Sequence, residues 1–276
     1  MSKNQMSFSL GGRLRKSMLG LADWIEGFWG VASKYEAPKR LSHQYGVTSD
    51  IDAGMHFFRI MLDHAGLTRT SSILEIGSGA GRTAAPLKYY LTDAGRYEGF
   101  DIMPEGIDHC TRHVTPHFPN FRFRHVDLFN SYYNPSGKVA SSAFRFPYPD
   151  GDFDLVLANS VMTHLRPDEA RHYVAETARV LKPGGVAMHS FFVLDAQGEE
   201  AVRKENVVPA FRFWAEGFMT SDPEHPEAAI AMPETTVRSM YEDAGFEIEI
   251  LPAEWSHGDR PVSFQNVVIG RKTGGA

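Results

Sequence analysis

Apolar positions change their period near residue 70, and that change organises the chain. Upstream, Met18, Leu21, Ile25, Phe28 and Trp29 recur at the spacing of one helical face. This predicts a helix over about 17–34, packed on a main domain rather than lying on a membrane surface. A second helix is expected over 50–64. Downstream, short apolar runs alternate with helical segments. Strands are expected over 72–76, 97–101, 121–126, 153–158 and 186–192, and helices over 82–91, 104–114 and 168–181. Ala170, Tyr173, Val174, Thr177, Val180 and Leu181 share one face of the last helix, which Gly184 and Gly185 are expected to end. A long aromatic loop over 130–152 separates the third and fourth strands. Strand–helix alternation predicts a mainly parallel sheet with helices on both faces. After a helix over 234–244, strands over 246–251 and 264–271 are joined by a loop holding Trp255, Gly258 and Pro261. No crossover helix fits there, so this pair should be antiparallel.

Composition narrows the class. The chain has 276 residues, 42% hydrophobic and 22% charged, which suits one large α/β domain with appendages. The expected parts are a helical extension or cap over 1–70, a main domain over 71–272, and a substrate lid over 195–232. A net charge of −6 offers no overall basic field for a nucleic acid. The single cysteine, Cys110, excludes an internal disulfide or a Cys-rich zinc site. No apolar run approaches the roughly 18 residues of a membrane span. Asp23 and Glu26 interrupt the stretch after the basic N-terminus, so no signal peptide is read, and a cytoplasmic protein without stable membrane insertion is expected. No motif sets the oligomeric state.

Candidate chemistry sits where strands end. Glu75-Ile76-Gly77-Ser78-Gly79-Ala80-Gly81 follows the first strand and opens a helix. Glycines allow a tight turn and let a cofactor lie against the main chain. The dinucleotide fingerprint Gly-x-Gly-x-x-Gly is not met, because Arg82 stands where its last glycine would fall. A carboxylate at Glu75 suits an ammonium and would repel a pyrophosphate, which argues against a dehydrogenase. Asp101 closes the second strand, where a carboxylate can take both ribose hydroxyls, and Asp127 follows the third. Each could equally be a helix cap or loop carboxylate. Together, three acidic residues at successive strand ends form a cofactor track.

Residues 73–82 resemble the first motif of the class I S-adenosylmethionine-dependent methyltransferases, and Asp101 and Asp127 match the next two cofactor positions. FPYPDGDFDLVLAN at 146–159 and RVLKPGG at 179–185 are similar to the segments before the fourth and fifth strands of the type-11 small-molecule group. The resemblance implies a Rossmann-like, seven-stranded, mostly parallel sheet with an antiparallel C-terminal strand, and S-adenosylmethionine as cofactor. It implies that Glu75 meets the methionine amine, that Gly77, Ser78, Gly79, Gly81 and Arg82 form the cofactor loop, and that Asp101 with Ile102 takes the ribose. Asp127 and Leu128 would take the adenine, with Asn159 closing the fourth strand. Asn159-Ser160-Val161-Met162 departs from the Asn/Asp-Pro-Pro-aromatic motif of nucleic-acid amino methyltransferases. The implied acceptor is a small molecule, a sugar, glycan or secondary metabolite, methylated on a hydroxyl and not on a nucleic acid.

On the acceptor side, His164 lies just beyond the fourth strand and can serve as the base that removes a hydroxyl proton. The alternative is a structural histidine that caps the next helix or packs on the cofactor. His189, inside the fifth strand, reads as packing, and His257 as a weaker acceptor-site candidate. No compact Asp/Glu cluster stands out, so no metal is expected. The aromatic segments 132–148 and 211–219 suit either an acceptor surface or a self-packed lid. N- or C-methylation of a small metabolite, and a catalytically silent cofactor-binding partner, are the remaining alternatives.

Overall fold

The computed structural model describes residues 37–42 and 50–274. The helix expected over 17–34 lies outside the described residues. After a single helical turn at Lys39–Ser42 the elements run α1 (Asp50–His64), β1 (Ser72–Ile76), α2 (Ala84–Tyr90), β2 (Arg96–Asp101), α3 (Pro104–His113), β3 (Phe121–His125), β4 (Leu128–Phe129) and β5 (Val139–Ala140). They continue with β6 (Phe153–Ala158), α4 (Pro167–Val180), β7 (Leu181–Leu194), α5 (Ala196–Arg203), β8 (Phe213–Ala215), β9 (Phe218–Thr220), β10 (Ile230–Pro233), α6 (Glu234–Asp243), β11 (Phe246–Leu251) and β12 (Asn266–Lys272).

The central strands pair in the order β3-β2-β1-β6-β7, all parallel. β12 runs antiparallel to both β7 and β11, as the missing crossover requires. β1 is apolar on both faces because both are covered. Ile73 packs with Met61, Leu87 and Leu155 on one side, and Leu74 and Ile76 with Val156, Val174 and Met240 on the other. α1 belongs to the first of these layers through Ile60 and Met61.

Three expectations gain detail. The seven expected strands are present as β3-β2-β1-β6-β7-β12-β11, and β10, β9 and β8 extend the sheet to ten from the end of β7. β10 pairs in parallel with Phe192, Val193 and Leu194, beyond the stretch that pairs with β6 and β12. Segment 195–232 is thus α5 and a sheet extension, tied down by main-chain hydrogen bonds. Secondly, α4 ends at Val180, and β7 begins at once with Leu181. Pro183 cannot continue a helix and biases its predecessor to extended backbone. Gly184, at φ +75°, lies instead in a bulge, where Phe153 faces Leu181 but Leu155 already faces Val186. Thirdly, the helix after the glycine loop starts at Ala84 rather than Arg82, since Gly77, Gly79 and Gly81 all have positive φ and keep the chain in turns.

Candidate active site

A cavity of about 420 Å³ opens at the carboxyl ends of β1, β2 and β6. β1 sends its connections to β2 on one side and eventually to β6 on the other, and ligands of open α/β sheets bind at such a divergence. Glu75, Gly77, Ser78, Gly79, Arg82, Asp101, Ile102 and Asn159 all line this cavity, as does His164. Gly81, Asp127 and Leu128 do not. Gly81 faces the core, where an added Cβ would stand 2.8 Å from Cys110 Sγ. Asp127 is turned to its own loop, accepting from Asn134 Nδ2 at 3.3 Å and lying 3.8 Å from Lys138 Nζ. Leu128 is buried in the core on β4.

The end of the cavity at β1 and β2 is shaped by hydrogen bonds within the chain. Asp101 Oδ2 accepts from Gly79 N–H at 2.8 Å and Oδ1 from Met103 N–H at 2.8 Å, so one carboxylate ties the glycine loop to the end of β2. Each oxygen keeps a lone pair for a further donor. Burial raises the Asp101 pKa, opposed by these backbone hydrogen bonds. Glu75 is buried and accepts a hydrogen bond from Tyr97 Oη. Burial pushes its pKa up to about 7, against the smaller opposing effect of Tyr97. Beside it, Ser78 Oγ and Asn159 Nδ2 are buried without any hydrogen-bond partner among the described residues. A Cβ on Gly77 would fall 2.4 Å from Val161 Cγ2, so the close approach at this turn requires glycine. A buried carboxylate, two unpartnered polar groups and bare main chain fit the polar methionine and ribose parts of S-adenosylmethionine.

The other end of the cavity is drawn from distant segments. His164 lies on a 3-10 turn, Met162–His164, after β6. Its Nδ1 is 2.8 Å from the Glu227 carbonyl oxygen, so Nδ1 carries the proton and Nε2 presents its lone pair. Tyr133 Oη stands 3.4 Å from Nε2. Burial lowers the His164 pKa below its ordinary 6.5, which keeps the ring neutral near pH 7. Phe192, Val208, Pro209, Phe264 and Gln265 complete this wall. Sequence reasoning named none of these five, although Val208 and Pro209 fall within the lid expected over 195–232, and it missed Ser160, whose φ of +56° is rare for a serine. The turn is held by Ser160 N–H donating to Ser190 Oγ at 2.7 Å and Ser160 Oγ–H to Gln265 Oε1 at 3.1 Å.

Other expectations find different places. Of the aromatic segments, Tyr133 and Ser141 reach the cavity, and Tyr133 alone brings a ring to it. Phe211 packs on Phe192 and Trp255, at centroid distances of 5.1 and 5.6 Å, while Trp214 faces outward on β8. Phe146 packs 5.2 Å from Phe100. His189 is fully buried, with Nδ1 2.8 Å from Tyr241 Oη, and His257 Nε2 meets the Asn206 carbonyl at 3.2 Å. Ser42 lines the cavity, which brings the chain just before α1 to its wall. Among the described residues no cluster of His, Cys, Asp and Glu could hold a metal, and no helix is long and apolar enough to cross a membrane.

A family model described as a methyltransferase domain matches residues 74–189. The arsenite methyltransferase of Aquipseudomonas alcaligenes is 27% identical over 136 residues, covering 49% of this chain and 37% of that protein. The fatty-acid O-methyltransferase of Mycolicibacterium smegmatis is 33% identical over 120 residues, 43% of this chain and 36% of that protein. The chain thus spans little more than a third of these two curated relatives. The ubiquinone/menaquinone biosynthesis C-methyltransferase UbiE of Escherichia fergusonii is 23% identical over 240 residues, 80% of this chain and 81% of that protein. Among solved structures, the PH0226 protein from Pyrococcus horikoshii OT3 shares the fold, with a TM-score of 0.56 at 15% identity over 90% of this chain and 99% of that one. Residues 74–189 thus match a methyltransferase domain, and the glycine loop, Glu75, Asp101, Asn159 and His164 all lie within that stretch.

Proposed function

We propose that the chain methylates a hydroxyl of a small metabolite, with His164 as the base. The cofactor supplies a methyl group on a sulfonium, and the chain must bring the acceptor oxygen into line with it and take the hydroxyl proton. The observation that carries the reading is the His164 ring: neutral, Nδ1 spoken for by the Glu227 carbonyl, Nε2 open to the cavity beside Tyr133. Glu75, the glycine loop and Asp101 would hold the cofactor at the ends of β1 and β2. Asp127 and Leu128 would serve the adenine only after a rearrangement of the loop that follows β3, since they do not face the cavity. Phe192, Val208, Pro209 and Phe264 give the acceptor end an apolar wall, which favours a secondary metabolite over a sugar. The name of the fatty-acid enzyme supports oxygen as acceptor, and that of UbiE supports the second reading, methylation at carbon.

Incubating the protein with methyl-labelled cofactor and a metabolite extract, followed by mass spectrometry, identifies the acceptor. A label on oxygen is expected; a label on carbon or nitrogen overturns the hydroxyl reading. With that acceptor, His164→Ala should lower turnover by about 10²–10⁴ while S-adenosylhomocysteine affinity stays nearly intact. Wild-type activity should fall as pH drops through the His164 pKa, below 6.5, because the neutral ring is required. Normal turnover in His164→Ala would remove this residue as the base.

A further inference from the structure

The sheet extension carries one residue to the back of His164. Glu227 lies on the turn Pro226–Ala228, just before β10, and is buried although its sequence neighbours Glu224 and His225 are exposed. Its carboxylate is gripped from two other segments. Arg166 Nε donates to Oε1 at 2.9 Å from the turn after His164, and Ser131 Oγ–H donates to Oε2 from the loop after β4. The main-chain carbonyl of the same residue accepts His164 Nδ1–H at 2.8 Å. Asn130 joins the loop to the same point, its Nδ2 donating to the His164 carbonyl at 3.3 Å, while its Oδ1 accepts from Tyr133 N–H at 2.9 Å and so sets the tyrosine opposite Nε2. Thr220 on β9 braces the turn from behind, donating to the Pro226 carbonyl at 3.0 Å.

We propose that Glu227 is a positioning residue, whose clasped carboxylate fixes its own carbonyl against His164 and thereby selects the imidazole tautomer with Nε2 free. The selection works through the main chain. A carbonyl can only accept, so a ring nitrogen held against it must carry the proton, and the other nitrogen is left as the base. A carbonyl on an unclasped turn could move away and leave either tautomer available. The carboxylate holds it because charge-assisted hydrogen bonds from Arg166 and Ser131 are stronger than neutral ones, and because a buried carboxylate is costly without them. Burial tends to raise the Glu227 pKa, but the Ser131 and Arg166 hydrogen bonds overcome it and hold the pKa below the ordinary value. The clasp is therefore charged near neutral pH, where His164 is neutral. Tyr133, Arg166 and Glu227 are the charged or titratable groups described around the ring, with Glu169 behind Glu227. The catalytic meaning of this arrangement rests on the reading of His164 as the base, but the arrangement itself does not.

The test needs no acceptor. Ring nitrogens of ¹⁵N-histidine-labelled protein are recorded by NMR at pH 8, with His164 assigned by its loss in His164→Ala. In the wild type, His164 should show a protonated Nδ1 and a bare Nε2. Glu227→Ala should move both signals toward the averaged positions of a ring that exchanges tautomers. Glu227→Gln, which keeps one acceptor oxygen in place, should restore much of the wild-type pattern. Ser131→Ala and Arg166→Met each remove one arm of the clasp. They should give smaller shifts in the same direction, and they decide the matter if Glu227→Ala does not fold. Once an acceptor is known, kcat should fall about tenfold or more in Glu227→Ala with S-adenosylhomocysteine affinity unchanged. A wild-type ring protonated at Nε2, or an unaltered Nδ1–H tautomer in the folded clasp variants, overturns the proposal. A fixed tautomer in an enzyme that labels carbon would leave it standing and sink only the base reading.

Discussion

Glu75, if it holds the cofactor as proposed, would make binding depend on pH. Burial lifts its pKa to about 7, so near neutrality the empty site holds a carboxyl that is partly protonated. If the cofactor ammonium lies against it, as proposed, the charged form is favoured and a proton leaves on binding. The sign follows: S-adenosylhomocysteine affinity should rise as pH increases from 6 to 8, with up to about one proton released at the acid end. Calorimetry in buffers of different ionisation enthalpy measures that proton directly. Glu75→Gln should bind more weakly at pH 8 and lose the pH dependence. A wild-type affinity that is flat with pH would remove Glu75 from the ammonium. Tyr97 belongs to the same unit, because its hydroxyl is the carboxylate's hydrogen-bond donor in the core.

At the scale of elements, the turn after β1 is where sequence and packing meet most tightly. Gly77 sits at φ +70°, and its missing Cβ leaves room for Val161, which follows β6. Gly77→Ala therefore combines a left-handed backbone with a close clash. It should destabilise the fold by about 1–3 kcal/mol and weaken cofactor binding as the loop shifts. Adding Val161→Ala removes the clash but not the backbone strain, so the double variant should recover part of the stability, by urea titration. A fully wild-type midpoint in Gly77→Ala would mean that the turn yields more freely than its contacts imply. The long β7 shows a second kind of element control. Asn266, the first residue of β12, accepts from Val193 N–H at 3.1 Å and Trp255 Nε1 at 2.7 Å where the β7–β12 ladder ends. Past that point β7 is free of β12 and takes up β10.

For the molecule as a whole, a neutral histidine in the middle of the sheet ties stability to pH. His189 is fully buried between Tyr241 and Thr177, and burial lowers its pKa to about 3. In the unfolded chain it titrates near its ordinary value of about 6.5. Between these values the unfolded state binds the extra proton, so stability present above pH 6.5 is lost as pH falls toward 3. By pH 5 this one group should cost about 2 kcal/mol, to which His164 adds with the same sign. Urea titrations at pH 7 and pH 5 measure the loss. In His189→Gln, the difference between the two pH values should shrink by about that amount. An unchanged difference would show that other groups set the acid limb.

Local order along the chain was enough to determine the parallel core, the antiparallel final strand and the residues that line the cavity at the ends of β1 and β2. Each depends on residues close in sequence: an apolar run, the glycines after it, and the carboxylates that close β1 and β2. The same local signals misplaced the end of α4, because glycine after a helix signals a stop as readily as it permits the bulge that β7 contains. They also gave no sign of the extension beyond the seven strands, since β8, β9 and β10 have only three or four residues each and their pairing is set by the end of β7. The surroundings of His164 were beyond any sequence pattern. Glu227 lies 63 residues from it and Ser131 lies 96 from Glu227, and no periodicity records a contact made across three loops. Short-range chemistry marked His164 as a residue able to move a proton; only the tertiary fold decided which of its nitrogens is free to do so.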